Sequence, residues 1–269
     1  MNTINNDMLK EFGETFKVGL IGSVGDNEYP HISFITSLQA LNEKEMISGQ
    51  FISGLCGKYI EESKKMGFLI MSLGKKWWSG KALWKEKKHS GAEYEMYNNI
   101  PMFRYNSYFG IHTVHYYDLV EVSEGKPLEM FGIVMSALKN TMTKGKFADN
   151  GKEAVMKPWA NKLLKGLATL KFICYYDSEG YPKLVPIIQA QACDSSRIVI
   201  PAKPYQEELK GLEKGAKVAI MGMNLDMESV LLKGEFGGFN DKGVGYMDIT
   251  MVYNSMPPKH GYIYPDLLV

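Results

Sequence analysis

The chain has 269 residues, and its 31 Lys and Arg nearly balance its 30 Asp and Glu, leaving a net charge of +1. This balance lacks the basic excess of nucleic-acid-binding proteins, so we expect no nucleic-acid partner. No apolar run approaches the roughly 18 residues that span a bilayer, and residues 1–10 are polar and unlike a signal peptide. We therefore expect a cytoplasmic protein with no membrane partner, long enough for two domains.

One pattern of about 60 residues occurs twice, beginning after Phe16 and again after Leu167. Matching Tyr29-Pro30 to Tyr181-Pro182 sets an offset of 152 residues (181 − 29). A fixed offset over several strand-like segments predicts tandem domains.

Each copy opens with an apolar run and a stretch of turn-forming residues, Gly-Asp-Asn-Glu or Asp-Ser-Glu-Gly, which predicts a β-hairpin. A third strand, a helix rich in Glu and Lys, and two more strands follow. The predicted strands are 18–24, 30–36, 45–48, 67–73 and 78–84 with a helix at 58–65, then 170–176, 182–188, 197–201, 216–222 and 231–236 with a helix at 205–212. This order predicts a mainly β (α+β) chain of small antiparallel barrels, each with one helix covering an open end.

Apolar residues at helical spacing predict a helical linker between the copies, with domains at 1–125, 126–166 and 167–269. We expect the apolar face of this linker to pack on the barrels. The face consists of Leu128, Phe131, Val134, Met135, Leu138 and Met142. The insertion at 85–108 is rich in aromatic residues that could form a lid, although packing of an irregular loop is favoured. These are Tyr94, Tyr97, Phe103, Tyr105 and Tyr108.

The three cysteines, Cys56, Cys174 and Cys193, are widely spaced and form no metal-ligand motif, so no metal site is predicted. Cys174 and Cys193 lie in apolar strand contexts, where a cysteine usually serves as a small buried hydrophobic residue. Cys56 lies in the segment Ser53-Gly54-Leu55-Cys56-Gly57 and could be more exposed, but a structural thiol is favoured there too.

Small residues lie between a predicted strand and a helix in the first copy, from Ser48 and Gly49 through Gly57 to Lys58. Small residues let the backbone approach a ligand, and the free N–H groups of a helix start suit a phosphate. Lys58 would add a positive charge. Ordinary turns and helix caps use the same residue types, so this segment alone does not identify a site.

The combination resembles the FMN-binding split-barrel family, which includes pyridoxamine 5'-phosphate oxidase and related flavin reductases. The resemblance rests on Pro30-His31-Ile32-Ser33 in the second strand, Ile47-Ser48-Gly49 at the end of the third, Lys58 at the helix, and Ser79-Gly80-Lys81-Ala82 in a late strand. It covers residues 16–84 and, more faintly, 167–236. It implies two tandem split β-barrels packed as an internal pseudo-dimer, with FMN as cofactor.

The resemblance also implies which residues would bind the cofactor. His31, Ser33 and Thr36 would face the flavin ring and ribityl chain, and Lys58 would hold the phosphate. Contacts from the third strand would come from Ile47, Ser48, Gly49 and Gln50. Trp77 or Trp78 could stack on the flavin, although burial is expected for at least one of them because alternate strand residues face opposite sides.

The implied function is a flavin-dependent oxidoreductase or flavin reductase, with a small-molecule or nicotinamide electron donor and a possible homodimer. Pyridoxamine phosphate oxidation is not favoured, because the chain has only two arginines, Arg104 and Arg197, and no second phosphate subsite. No residue stands out as a catalytic acid or base. The alternatives are a non-catalytic module that binds FMN or haem, with His112 and His115 as candidate ligands, and an interaction scaffold without a ligand.

Overall fold

The structure is a computed structural model that describes residues 1–51, 54–103, 110–148, 153–224, 226, 228–254 and 261–264. The helices are α1 (Asn6–Gly13), α2 (Leu55–Ser63), α3 (Ala92–Asn99), α4 (Met130–Thr143) and α5 (Pro158–Lys165). The strands of the first copy are β1 (Lys17–Val24), β2 (Pro30–Phe34), β3 (Gln39–Ala40), β4 (Glu45–Gln50), β5 (Lys65–Ser72), β6 (Lys76–Lys88), β7 (Thr113–Val122) and β8 (Lys126–Pro127). The strands of the second copy are β9 (Leu170–Tyr176), β10 (Pro182–Pro186), β11 (Gln191–Ala192), β12 (Arg197–Pro201), β13 (Lys217–Met223), β14 (Ser229–Phe239), β15 (Val244–Asn254) and β16 (Gly261–Tyr264).

Two antiparallel sheets repeat one strand order. The first runs β2-β1-β5-β6-β7-β4-β3, and the second runs β10-β9-β13-β14-β15-β12-β11. Each strand of the second path is therefore the eighth after its counterpart in the first. The tandem split β-barrels expected from the sequence are confirmed by this shared order, and the chain is mainly β with helices.

The chain divides into two compact units that exchange short segments of sequence. Unit 1 contains residues 1–26, 33–128 and 179–183, and unit 2 contains residues 27–32, 129–178 and 184–269. The segment 27–32 includes the start of β2, so His31 has its surroundings in unit 2 while Ser33 belongs to unit 1. Among the described helices, none has both the length and the apolar character needed to cross a bilayer.

Unit 1 has two apolar cores, on opposite faces of β4 and β7. The main core lies inside the barrel and includes Phe12 of α1, Phe68 of β5 and Trp78 of β6, with the Phe12 and Trp78 rings 5.4 Å apart in an edge-to-face arrangement. The second core lies under α3 and is formed by Ile47, Tyr97, Phe103, Ile111, Val114 and Tyr116. The favoured interpretation of the insertion as packing fits Tyr97 and Phe103, which are buried; Tyr105 and Tyr108 lie outside the described residues.

The helix predicted at 205–212 is wrong, because this segment forms a series of turns. Its backbone hydrogen bonds mix spacings, with Leu209 N–H donating to Tyr205 O at 3.1 Å and Leu212 N–H donating to Leu209 O at 3.0 Å. Pro204 and Gly211 bound a stretch too short to propagate a helix. Burial of Tyr205, Leu209 and Leu212 fixes the turns instead.

The predicted burial of the linker's apolar face is also wrong for most of its residues. Helix α4 buries Ile133, Ala137 and Asn140. The predicted face is exposed at Phe131 (81%), Val134 (49%), Met135 (53%), Leu138 (48%) and Met142 (85%), and only Leu128, before the helix, is buried. The buried residues Ile133, Ala137 and Asn140 lie three or four positions apart on one side of α4. The small side chain of Ala137 permits a close approach of the helix to β11 and β12.

Candidate functional site

The candidate site lies in unit 1, where α2 approaches the ends of β2, β4 and β7. Side chains alternate between the two faces of β4 and β7. Ser48 pairs with His115 in the register of these strands, so Ser48 and Gln50 share a face with His115 and Tyr117. Ile47 and Gly49 face the opposite side, toward the core under α3.

The polar side chains of the shared face, together with Cys56 of α2, are called here the α2-side cluster: Ser48, Gln50, Cys56, His115 and Tyr117. The hydroxyls of Ser48 and Tyr117 are 2.8 Å apart. The Trp84 indole N–H donates to His115 Nδ1 at 3.1 Å, so Nε2 carries the proton of the neutral ring and donates to Gln50 Oε1 at 2.8 Å. The cluster therefore contains two hydrogen-bonded pairs, Ser48 with Tyr117 and Gln50 with His115.

Burial sets the protonation states of this cluster. Desolvation lowers the pKa of His115 to about 4, against a weaker opposing effect of Glu61. Burial raises the pKa of the Cys56 thiol to about 11, and a hydrogen bond with the Ser33 side chain only partly offsets it. Burial likewise raises the pKa of Tyr117. These groups are neutral at pH 7 and present hydrogen-bonding atoms without charge.

Helix α2 supplies the positive charge beside the cluster. It begins at Leu55 after Gly54, no side chain among the described residues caps its start, and its first turn has no acidic residue. Uncapped N–H groups and the helix dipole favour an anion at this position. The Lys58 side chain is 56% exposed, and its ion pair with Glu62 is long at 3.9 Å. Such an exposed pair contributes little and leaves Lys58 able to meet a ligand.

Gly57, the third residue of α2, allows this helix to lie close to Gln50 at the end of β4. A Cβ atom placed there would lie 3.1 Å from Gln50 Nε2, tighter than ordinary side-chain contacts. The glycine therefore lets the first turn of α2 pack directly against the end of β4. Gln50, Gly57 and Lys58 form one continuous edge of the candidate site.

The remaining predicted residues are not all brought to this edge. His31 is 2% exposed, and its ring lies 5.0 Å from the Tyr253 ring in unit 2. Burial, with a smaller effect from Lys233, lowers the pKa of His31 to about 3. Thr36 is half-buried in the turn after β2. Trp78 is buried in the main core, and Trp77 is buried at another place in unit 1. The expected burial of at least one of them is confirmed.

The backbone N–H and C=O groups of Gly49 are both hydrogen-bonded to the Ser37 side chain. The Ser37 hydroxyl accepts from Gly49 N–H at 3.0 Å and donates to Gly49 O at 2.7 Å, and Tyr97 donates to Ser37 O at 2.6 Å. A Cβ at Gly49 would lie 2.0 Å from Ile111 Cδ1. The glycine thus makes room for the chain's own residues under α3, while the predicted role in cofactor binding stays a prediction.

Sequence reasoning missed Ser37, Trp84 and Tyr117. The alternation of Thr113, His115 and Tyr117 along one strand is the signal that could have placed His115 and Tyr117 on one face. The role of Ser37 could not be predicted from a local pattern, because the Gly49 backbone that it contacts lies 12 residues further along the chain. His112, the second candidate haem ligand, is exposed, with Nδ1 2.6 Å from the Thr113 hydroxyl.

No protein-family model matches the chain, and no curated protein does. Among solved structures, an FMN-binding protein from Syntrophomonas wolfei is 13% identical and covers 45% of this chain and 88% of its own, with a TM-score of 0.38. A Clostridium acetobutylicum protein of the pyridoxinephosphate oxidase family is 14% identical over 47% and 99% of the two chains, with a TM-score of 0.30. A FAD-binding protein from Mesorhizobium loti is 11% identical over 46% and 93%, with a TM-score of 0.31. The fold assignment rests on the strand order that the two sheets share.

Proposed function

We propose that unit 1 binds a flavin nucleotide of the FMN type and that the chain is a flavin-dependent oxidoreductase. The phosphate would lie at the start of α2, against the uncapped N–H groups and Lys58. The flavin would supply the redox chemistry, with electrons from a small-molecule or nicotinamide donor. The single observation that carries the proposal is the continuous edge formed by Gln50, Gly57 and Lys58.

The charge distribution at this edge supports an anionic ligand. Glu61, on the same helix, is paired with Lys87 at 2.8 Å, so its charge is balanced locally. Glu62 is exposed and loosely paired with Lys58. A dianionic phosphate would compete well for Lys58, because it also gains the helix N–H groups that Glu62 does not reach.

The α2-side cluster would give the flavin a neutral polar surface. Gln50 can orient a ligand amide or hydroxyl, and Ser33 lies at the end of β2, half-buried beside the Cys56 thiol. Both side chains were predicted to bind the cofactor. The cluster offers no group with a pKa near 7, so we expect the flavin rather than a protein acid or base to control the reaction.

The haem alternative is less well supported. Both ring nitrogens of His115 take part in hydrogen bonds, with Trp84 and Gln50. Iron ligation would have to break one of these bonds inside a buried cluster, at a cost of about 1–3 kcal/mol for the group left unpaired.

A fluorescence titration with FMN tests the proposal. The parent chain should quench FMN fluorescence saturably, and Lys58→Ala should weaken binding by about tenfold, the loss expected for one charge-assisted contact. Lys58→Arg should restore most of the affinity because its fork also binds phosphate. Lys10→Ala, which removes an exposed charge from α1, is the matched control.

The outcomes separate the proposals cleanly. No saturable binding by the parent would refute the flavin assignment and leave the scaffold interpretation in first place. Binding that is equally weakened by Lys58→Ala and Lys10→Ala would refute the placement of the phosphate at α2. Reduction of bound FMN by NADH or NADPH, measured as loss of the visible absorption of oxidised flavin, tests the oxidoreductase step.

A further inference from the structure

A cationic cavity in unit 2 lies apart from the candidate site. Its volume is about 240 Å³, and it is lined by residues of α4 and of the strand ends of β12 and β15. The lining carries three lysines, Lys139, Lys203 and Lys242, and no acidic side chain. Within the described part of the chain, none of these three lysines forms an ion pair.

Hydrogen bonds from buried amides hold the walls of the cavity in place. Asn140 of α4 is 2% exposed and donates to Gln189 O at 3.2 Å and Val199 O at 3.3 Å. Gln191 donates to Ala137 O at 2.9 Å, which ties α4 to β11. These bonds cross from helix to sheet, so the cavity is formed before any ligand arrives.

The backbone carbonyls of Pro201 and Gly243 beside the cavity already have donors. Gln189 Nε2 donates to Pro201 O at 2.9 Å, and Ala202 N–H donates to Gly243 O at 2.8 Å. These two dipoles are therefore turned to protein donors, while Asn140 Oδ1 accepts no hydrogen bond from the described residues. The three lysines, all exposed, supply the positive charge at the cavity. Ser136, which also lines it, adds a hydroxyl.

We propose that this cavity binds the phosphate monoester of a small organic molecule. Three lysines match a group that carries close to two negative charges and three acceptor oxygens. Met135, Pro201 and Val244 add apolar surface that a bare ion would not use. The volume is below the roughly 300–1,000 Å³ of pockets for drug-sized ligands, so the organic part has only a few atoms.

Isothermal titration calorimetry at constant ionic strength tests this site, with propyl phosphate as the probe and butyrate and inorganic phosphate for comparison. The parent chain should bind propyl phosphate more tightly than either. The double variant Lys203→Ala/Lys242→Ala should weaken binding by about tenfold or more. Lys162→Ala/Lys165→Ala removes the same charge from exposed positions of α5 and should change the affinity by less than about threefold.

Four results would overturn the inference. The first three are no saturable binding by the parent, an equal loss in both double variants, and butyrate binding as tightly as propyl phosphate. Thermal unfolding of each variant checks its folding, and Lys242→Gln, a single neutral substitution, replaces the double variant if that one is unstable. The site does not depend on the flavin proposal: if Lys58→Ala alone weakens propyl phosphate binding, the phosphate binds at α2 and the unit 2 site is refuted.

Discussion

His115 Nε2 lies 2.8 Å from Gln50 Oε1, and this bond joins β7 to the end of β4 beside α2. With Trp84 donating to the other ring nitrogen, the imidazole is held neutral and in one tautomer. An imidazolium could not accept the Trp84 bond, so protonation of His115 would break the cluster. The stability of unit 1 is therefore expected to depend on pH.

The pH dependence follows from the lowered pKa of His115. Its folded value of about 4 lies below the ordinary value of 6.5, so the stabilisation is fully present above pH 6.5 and is lost as the pH falls toward 4. The loss attributable to His115 is at most about 3 kcal/mol. In urea unfolding, the free energy of unfolding of His115→Gln should fall less between pH 6.5 and 4 than that of the parent. His89→Gln, at an exposed position, is the control and should behave like the parent. An unchanged loss in His115→Gln would contradict the prediction.

Gly49→Ala should destabilise the chain by about 1–3 kcal/mol, because the added methyl would overlap Ile111 Cδ1, 2.0 Å away, in a packed core. Gly13→Ala, at the end of α1, is the control, since no atom lies within 4 Å of its added carbon. Denaturant midpoints measure both. Equal stability of the two variants would show that the core under α3 can give way at Ile111.

The two faces of α4 should respond differently to truncation. Ile133→Ala, on the buried face, should lower the free energy of unfolding by about 2–4 kcal/mol. Phe131→Ala, on the face that is 81% exposed, should change it by less than about 0.5 kcal/mol. Thermal or urea unfolding distinguishes them. A large loss in Phe131→Ala would mean that another surface covers this face in solution.

Lys171 should make unit 2 more stable in mild alkali. The residue is fully buried, and its ammonium donates to the carbonyls of Gly166, Thr169 and Ile188. Burial lowers its pKa from 10.5 to about 7. Between these values the unfolded chain binds more protons, so the free energy of unfolding rises with pH by up to about 1.4 kcal/mol per pH unit.

The pH slope of unfolding is the readout for Lys171, because Lys171→Met also removes three hydrogen bonds and lowers stability at every pH. The slope between pH 7 and 9.5 should be smaller in Lys171→Met than in the parent. Lys162→Met, at an exposed position of α5, should keep the parent's slope. Parallel curves for Lys171→Met and the parent would show that Lys171 keeps an ordinary affinity for protons.

The thiols should react slowly in the folded chain. Burial raises the pKa of Cys56 and of Cys193 to about 11 and raises that of Cys174 further. At pH 8 about 0.1% of such a thiol is ionised, against roughly a quarter of an ordinary cysteine. Disulfide exchange with Ellman's reagent should be at least about a hundredfold faster in denaturant. Fast labelling of Cys56 in the folded chain would place it outside the α2-side cluster.

The repeat and most of its strands could be predicted from the sequence, because they depend on local patterns. Alternating side chains and turn residues define a hairpin within about a dozen residues, and the fixed offset of 152 repeats the result. The small residues between Ser48 and Lys58 were visible for the same reason. The turns at 205–212 were not predicted, since their Glu and Lys content favours a helix that Pro204, Gly211 and three buried anchors prevent.

Only the tertiary structure decided which side of each element is buried. The resemblance to the split-barrel family groups Ile47, Ser48, Gly49 and Gln50 as contacts to one cofactor. In the structure Ile47 and Gly49 face the core under α3, while Ser48 and Gln50 lie on the opposite face of β4. The same holds for α4, whose sequence is apolar nearly all round. There Ala137 and Asn140 face the sheet, because close packing and buried carbonyls select a small side chain and an amide over larger apolar residues.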